Sequence, residues 1–251
     1  MTNEATPYEL VIAAPYAVGL VAVILEVTWL SRTDRAVWRR ARTALAMAGG
    51  AVAVGVVYAT ALRALWGVVL SVSPLRGVWQ GREVAATLIA FVAWDAMGWV
   101  YHWVGHRTQV GWASHQPHHS GTTFDITLGL RQTWTPFHGL AYQPLLALAG
   151  FDFATIAVCA ALSNTWQLLN HSAAPVAWPR WLSLVVMTPD THRLHHASDA
   201  VAVNLGPVFT AWDRLARTWE TPREMPTRYG ANDGGALAVE LAGWRALLLR
   251  R

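Results

Sequence analysis

The stretch Val84–His106, VAATLIAFVAWDAMGWVYHWVGH, governs how the rest of the chain is read. Apart from Asp95 it is apolar up to its end, long enough for a helix through the roughly 30 Å hydrocarbon core of a bilayer. It closes on HxxxH, with His102 and His106 one helical turn apart and so on one face. An apolar span therefore delivers two imidazoles to one edge of a membrane. Working outward, further apolar runs cover Leu10–Leu30, Ala44–Leu62, Phe137–Ala149 and Phe153–Asn170. Arg63 interrupts the second of these, and the following ALWGVVLSVSPL is too short to span again, so it reads as interfacial or re-entrant.

Composition agrees with a membrane protein. The 251 residues are 54% hydrophobic and 14% charged, with fifteen tryptophans. The net charge of +4 comes from arginines scattered among apolar runs, with no lysine, which argues against a nucleic-acid-binding patch. A single cysteine, Cys159, excludes a disulfide framework and a cysteine-held cluster. The opening MTNEATPYEL lacks a basic start, so no cleavable signal peptide is expected. The loop SRTDRAVWRRAR after the first run carries five arginines and by the positive-inside rule lies in the cytoplasm. Counting spans from there brings all ten histidines to the cytoplasmic face, while Arg63, Arg76 and Arg82 fall outside.

The expected fold is thus an all-α integral membrane protein, with four to five membrane helices carrying a cytoplasmic, histidine-rich di-metal cap. Three regions are expected: membrane helices over 1–83, a metal-bearing domain over 84–220, and a tail over 221–251. In the tail, Leu237, Leu241, Trp244 and Leu248 share one helical stripe, as in an amphipathic helix on the membrane surface or against its own domain.

HxxHH occurs twice beyond the first span, as His115, His118 and His119 and again as His192, His195 and His196. On a helix this spacing aims three rings the same way. One tetrahedral zinc needs four ligands, whereas eight histidines in three groups, with His171 as a ninth, suit two metals. Imidazole binds iron, zinc, copper or nickel, so the donors alone do not name the metal. His138 reads as either a ligand or an interfacial polar residue. Asp95, two helical turns before His102, is expected to accept the free ring N–H of a ligating histidine and so fix its tautomer.

The succession D…YHWVGH…WASHQPHHS…LRQ…QLLNH…TPDTHRLHH…NLG…WD resembles the fatty acid hydroxylase superfamily, also called sterol desaturase-like, over roughly Asp95–Glu220. The stretch WASHQPHHSGTTFDITLGLRQ with TPDTHRLHH is most similar to its alkylglycerol monooxygenase branch. The resemblance implies two iron ions that activate O₂ to hydroxylate or desaturate a lipid, isoprenoid or sterol-like substrate. It implies His102, His106, His115, His118, His119, His171, His192, His195 and His196 as metal ligands. Gln167 stands where some members have another histidine, which leaves nine or ten ligands, and Arg131 and Asn204 fall at motif positions that support the centre. Leu205 departs from the aromatic that many relatives carry there, which puts the pocket beside the last box in doubt. A ferredoxin- or cytochrome-type donor with its reductase is implied, since the chain has no GxGxxG loop and no cysteine cluster. The expected location is a bacterial inner membrane, with the active site on the cytoplasmic side.

The chemistry is coherent in its own right. Attack on an unactivated C–H bond needs a redox metal, and zinc does not change oxidation state. A zinc hydrolase is the alternative, with Asp190 or Asp199 as general base. A metal transporter or sensor ranks last, because transport predicts ionisable residues along several spans and these runs hold chiefly Glu26 and Asp95.

Overall fold

A computed structural model describes residues 7–132, 134, 137–199, 202–221 and 225–230, without the side chains of 7, 8 and 137–141. The amphipathic-helix reading of the tail and the side chain of His138 lie outside the described residues. Among the described residues eight α-helices follow in chain order: α1 Pro7–Leu30, α2 Val37–Ser71, α3 Glu83–Arg107, α4 Gln109–His115, α5 Phe137–Leu148, α6 Phe153–Leu169, α7 Pro189–His195 and α8 Ala211–Ala216. Short 3₁₀ turns cover Ile126–Leu130 and Leu182–Leu184. Among the described residues the only β pairing is two isolated antiparallel bridges.

Among the described residues three helices are long and apolar enough to cross a bilayer: α1, α2 and α3. The short α5 and α6 form a hairpin. With 12 residues α5 reaches only about 18 Å at 1.5 Å per residue, less than a full crossing. The hairpin tip meets the far end of α2: Trp66 Nε1 donates to the Phe151 carbonyl at 3.2 Å, and Ser73 Oγ donates to the Leu148 carbonyl at 2.6 Å. Trp79 adds a bond to the Ala149 carbonyl and stacks on Phe151. Around this contact Trp66, Ala90, Trp94, Leu146, Phe151 and Ile156 form the main core between α2, α3, α5 and α6.

The second membrane helix departs from expectation. It does not stop at Arg63 but continues as one 35-residue helix to Ser71. Arg63 interrupts nothing because its guanidinium lies over the Phe153 ring, 5.8 Å from the centroid, and no helix breaker occurs before Ser73–Pro74. The re-entrant reading of the segment after it is therefore replaced by continuous helix.

At the opposite end, Arg40 at the start of α2 pairs with Asp125 at 2.7 Å and with Asp34 at 2.8 Å. Asp125 also caps the Ile126–Leu130 turn by accepting from the Thr127 amide at 3.0 Å. Glu26 of α1 is buried here too, accepting from the amides of Ile126 and Ala173, both at 2.9 Å, and from the Ser172 hydroxyl. The arginine-rich loop and the segments that carry the later histidines are thus tied together at one end of the bundle.

Candidate metal centre

Three local devices aim the histidines. Thr108 is extended, ends α3, and caps α4 by accepting from the Gly111 amide at 3.0 Å, which turns the chain sharply between the first and second boxes. The corner is tight: a Cβ on Gly111 would lie 2.4 Å from the Val104 carbonyl oxygen. The third box sits on α7, whose start is fixed by a capping box between Thr188 and Thr191 with Pro189 in the first turn. His171 follows the end of α6 and packs beneath Gly129, where a Cβ would come within 3.0 Å of His171 Nδ1.

Nine histidine rings meet in two groups. His102, His106, His115, His119 and His195 form the first, and His118, His171, His192 and His196 the second; within each group one ring nitrogen per residue lies within 4.8 Å of all the others. His119 Nε2 is 3.1 Å from Nε2 of both His115 and His195. His171 Nε2 is 3.1 Å from that of His118, 3.2 Å from His196 and 3.0 Å from His192. Nitrogens this close cannot be satisfied by hydrogen bonds alone, because each ring nitrogen carries at most one proton. Nε2 of His102 and of His106 is buried without any hydrogen-bond partner. A cation in each group would satisfy these lone pairs, so the donors fit a pair of metals.

The spacing rule holds only in part. His118 and His119 lie beyond the end of α4 and His196 at the end of α7, so neither HxxHH aims three rings at one point. In each box the i, i+4 pair joins one group and the i+3 residue joins the other.

The tautomers follow from the rear contacts. Nδ1 of His102 meets the Leu205 carbonyl at 2.8 Å, that of His195 the Val203 carbonyl at 2.8 Å, and that of His171 the Gln167 carbonyl at 2.7 Å. A carbonyl only accepts, so each Nδ1 carries the proton and each Nε2 lone pair is free for metal. Burial, reinforced by neighbouring imidazoles, holds His115, His118, His119, His192, His195 and His196 well below the ordinary histidine range. Burial pushes His171 down to about 4. All seven are therefore neutral near pH 7, the form that ligates.

The supporting residues sit differently from expectation. Asp95 does not accept a histidine N–H. Its carboxylate takes the amides of Val208 at 2.8 Å and Phe209 at 3.0 Å and the Trp212 indole N–H at 2.8 Å. It acts on the loop that supplies the Leu205 carbonyl. Asp213, fully buried, holds the same loop through the amides of Leu205 at 2.9 Å and Gly206 at 2.7 Å. Sequence reasoning passed over Asp213, although the WD pair was its only signal. Asn204, in a left-handed conformation that asparagine tolerates, bonds Thr191 of α7 and Glu220 rather than a histidine. Gln167 turns its amide nitrogen to Ser163. Arg131 is buried and donates to Ser120 Oγ at 3.0 Å.

Arg131, Gln167, His102, His118 and His171 also face a cavity of about 650 Å³ that extends between α1, α2, α3 and α6. Asp190 and Asp199 belong to neither histidine group, and among the described residues no carboxylate does.

A family model described as fatty acid hydroxylase matches residues 87–218. Alkylglycerol monooxygenase of Caenorhabditis elegans is 30% identical over 140 residues, 54% of this chain and 27% of that protein. The enzymes of the same name from Xenopus tropicalis and Homo sapiens are each 27% identical, covering 57% and 54% of this chain and 32% and 31% of their own lengths. The chain therefore spans about a third of the curated relatives it matches. No solved structure matches it. With all three histidine boxes inside the matched segment and their rings gathered in two groups, this chain belongs to the fatty acid hydroxylase family.

Proposed function

We propose that this protein is a membrane oxygenase that uses two iron ions and O₂ to hydroxylate, or less often desaturate, a lipid or lipid-like substrate. The observation that carries the reading is the division of nine histidines into groups of five and four, each sharing one focus. When bound, a pair of redox ions at those foci supplies the activation of O₂ and the oxidising power for an unactivated C–H bond.

The chain supplies the rest. His102, His106, His115, His119 and His195 hold one ion and His118, His171, His192 and His196 the other. The carbonyls of Leu205, Val203 and Gln167 keep three of these rings in the ligating tautomer. The cavity of about 650 Å³ is lined by α1, α2, α3 and α6 next to the histidines and is large enough for a lipid segment. On its wall Arg131 offers a donor, and Gln167 its amide oxygen as an acceptor, to a polar group near the reacting carbon. The relatives' name makes an alkylglycerol the first substrate to test. Electrons come from a separate ferredoxin- or cytochrome-type carrier and its reductase. The arginine-rich loop shares its end of the bundle with the histidines, which supports a cytoplasmic active site in a bacterial inner membrane.

The test combines metal analysis of the purified chain with oxidation of a 1-O-alkylglycerol in membranes reconstituted with a reduced ferredoxin- or cytochrome-type carrier and its reductase, under air and under argon. Iron in both sites and product only under air is the expected result. Turnover that persists under argon, or full activity with zinc in both sites, would reject the proposal.

A further inference from the structure

The polypeptide beyond the last histidines does not remain at the end of the bundle. Val208 and Phe209 are held by Asp95, and the Phe209 ring meets Phe91 edge-on with centroids 5.8 Å apart. Asp95 and Phe91 precede His102 by seven and eleven residues. At 1.5 Å per residue this segment has returned roughly 10–16 Å along α3, away from the histidines and toward the middle of the span. The stretch Leu184–Met187 lies beside it, through a bridge between Val186 and Phe209 and through the Met187 amide to the Val208 carbonyl at 2.7 Å.

Backbone at this depth must satisfy its own polar groups, because lipid offers none. Here the amides from Leu184 to Met187 and from Val208 to Thr210 each find a partner. Those of Leu184, Val185 and Val186 bond the carbonyls of Trp181 or Leu182 within the 3₁₀ turn. Those of Met187 and Thr210 bond across to Val208 and Val185, and those of Val208 and Phe209 end on Asp95. The Thr210 hydroxyl covers the Leu184 carbonyl and the Trp166 indole covers that of Met187. On the outer side the side chains are apolar and bare: Trp181 is 66% exposed, Leu184 55% and Val185 56%. On α3, which this segment packs against through Phe91 and Asp95, Leu88, Ile89 and Val92 are exposed and apolar as well. In water such a patch would be costly.

We infer that Trp181–Met187, pinned against Val208–Trp212, forms a non-spanning wedge that dips into the bilayer and contacts lipid acyl chains. The buried Asp95 carboxylate replaces the water that two backbone amides lose there, which explains an ionisable residue in α3 that touches no histidine. Arg180, exposed beside Trp181, is placed to extend its charged end toward headgroups.

The test uses the full chain in phosphatidylcholine nanodiscs. A phospholipid with a diazirine in its acyl chain is photolysed with the unmodified protein, and adducts are mapped by mass spectrometry. Adducts within Trp181–Val185 as well as Leu88–Val92 are expected, and adducts on Leu88–Val92 alone overturn the wedge. In parallel, nitroxide labels at Leu184→Cys and, separately, Val185→Cys in a Cys159→Ala background are compared with labels at Leu88→Cys and Thr227→Cys. The ratio of O₂ to nickel-chelate accessibility at 184 and 185 should match position 88 and exceed position 227 severalfold. A ratio like that at 227 rejects the proposal.

Discussion

At the residue scale, what distinguishes this centre is how each HxxHH box divides its rings. His115 and His119 turn to the first group and His118 to the second; His192 and His196 turn to the second and His195 to the first. Losing one ring therefore disturbs both ions, since its neighbours serve the other. We expect His118→Ala and His195→Ala each to abolish turnover and to lower total bound iron by more than one ion's share, read by metal analysis of monodisperse protein. Proton competition gives a second expectation. His171 has its pKa depressed to about 4 against an ordinary value of 6.5, and its buried neighbours move in the same direction. The unfolded chain thus binds more protons than the folded one below 6.5. Stability and metal retention are complete above that pH and decline as it falls toward 4. Thermal unfolding of the metal-free protein should show this slope, with no comparable change between pH 7 and 8. The nine histidines that gather here were legible from spacing and from the family pattern. Their allocation was not, because i, i+3 and i+4 share a face only on a helix that lasts through the box, and His118, His119 and His196 fall past helix ends.

Elements are set by contacts that the sequence discloses unevenly. Asp95 was visible as a charge in an apolar run, but its partners lie more than 110 residues away, and two of the three are backbone amides, which carry no residue signature. Asp95→Leu should free the Val208–Trp212 loop, loosen the Leu205 carbonyl behind His102, and weaken metal affinity by about 10–100-fold, the range for losing a ligand's support. A metal titration with a chelator as competitor measures it. Arg40 shows the same kind of coupling. With Asp125 nearly fully buried, Arg40→Ala strands a carboxylate under the Ile126–Leu130 turn. The expected loss is about 3 kcal/mol of stability, seen as a lowered midpoint in denaturant or heat. The extent of α2 was misjudged at Arg63 because a charge looks like an interruption until an aromatic such as Phe153 is found under it.

For the whole molecule, the membrane class followed from composition and from three long apolar helices. The span count was harder to read, since α5 and α6 are short and complete their path by packing their tip on Trp66, Ser73 and Trp79. If the histidine end faces the cytoplasm, a thiol at Arg35→Cys in a Cys159→Ala background reacts with a membrane-impermeant maleimide only after the cells are opened. A thiol at Arg76→Cys reacts in intact cells. The reverse pattern would invert the orientation.

One consequence lies in the order in which the polypeptide is made. The first group waits for His195 and the second for His171, His192 and His196, so neither is complete until four-fifths of the sequence has left the ribosome. Neither nest has its full set of donors in a nascent fragment, and a truncated product that stops short of residue 192 would lack His195 from the first and both His192 and His196 from the second.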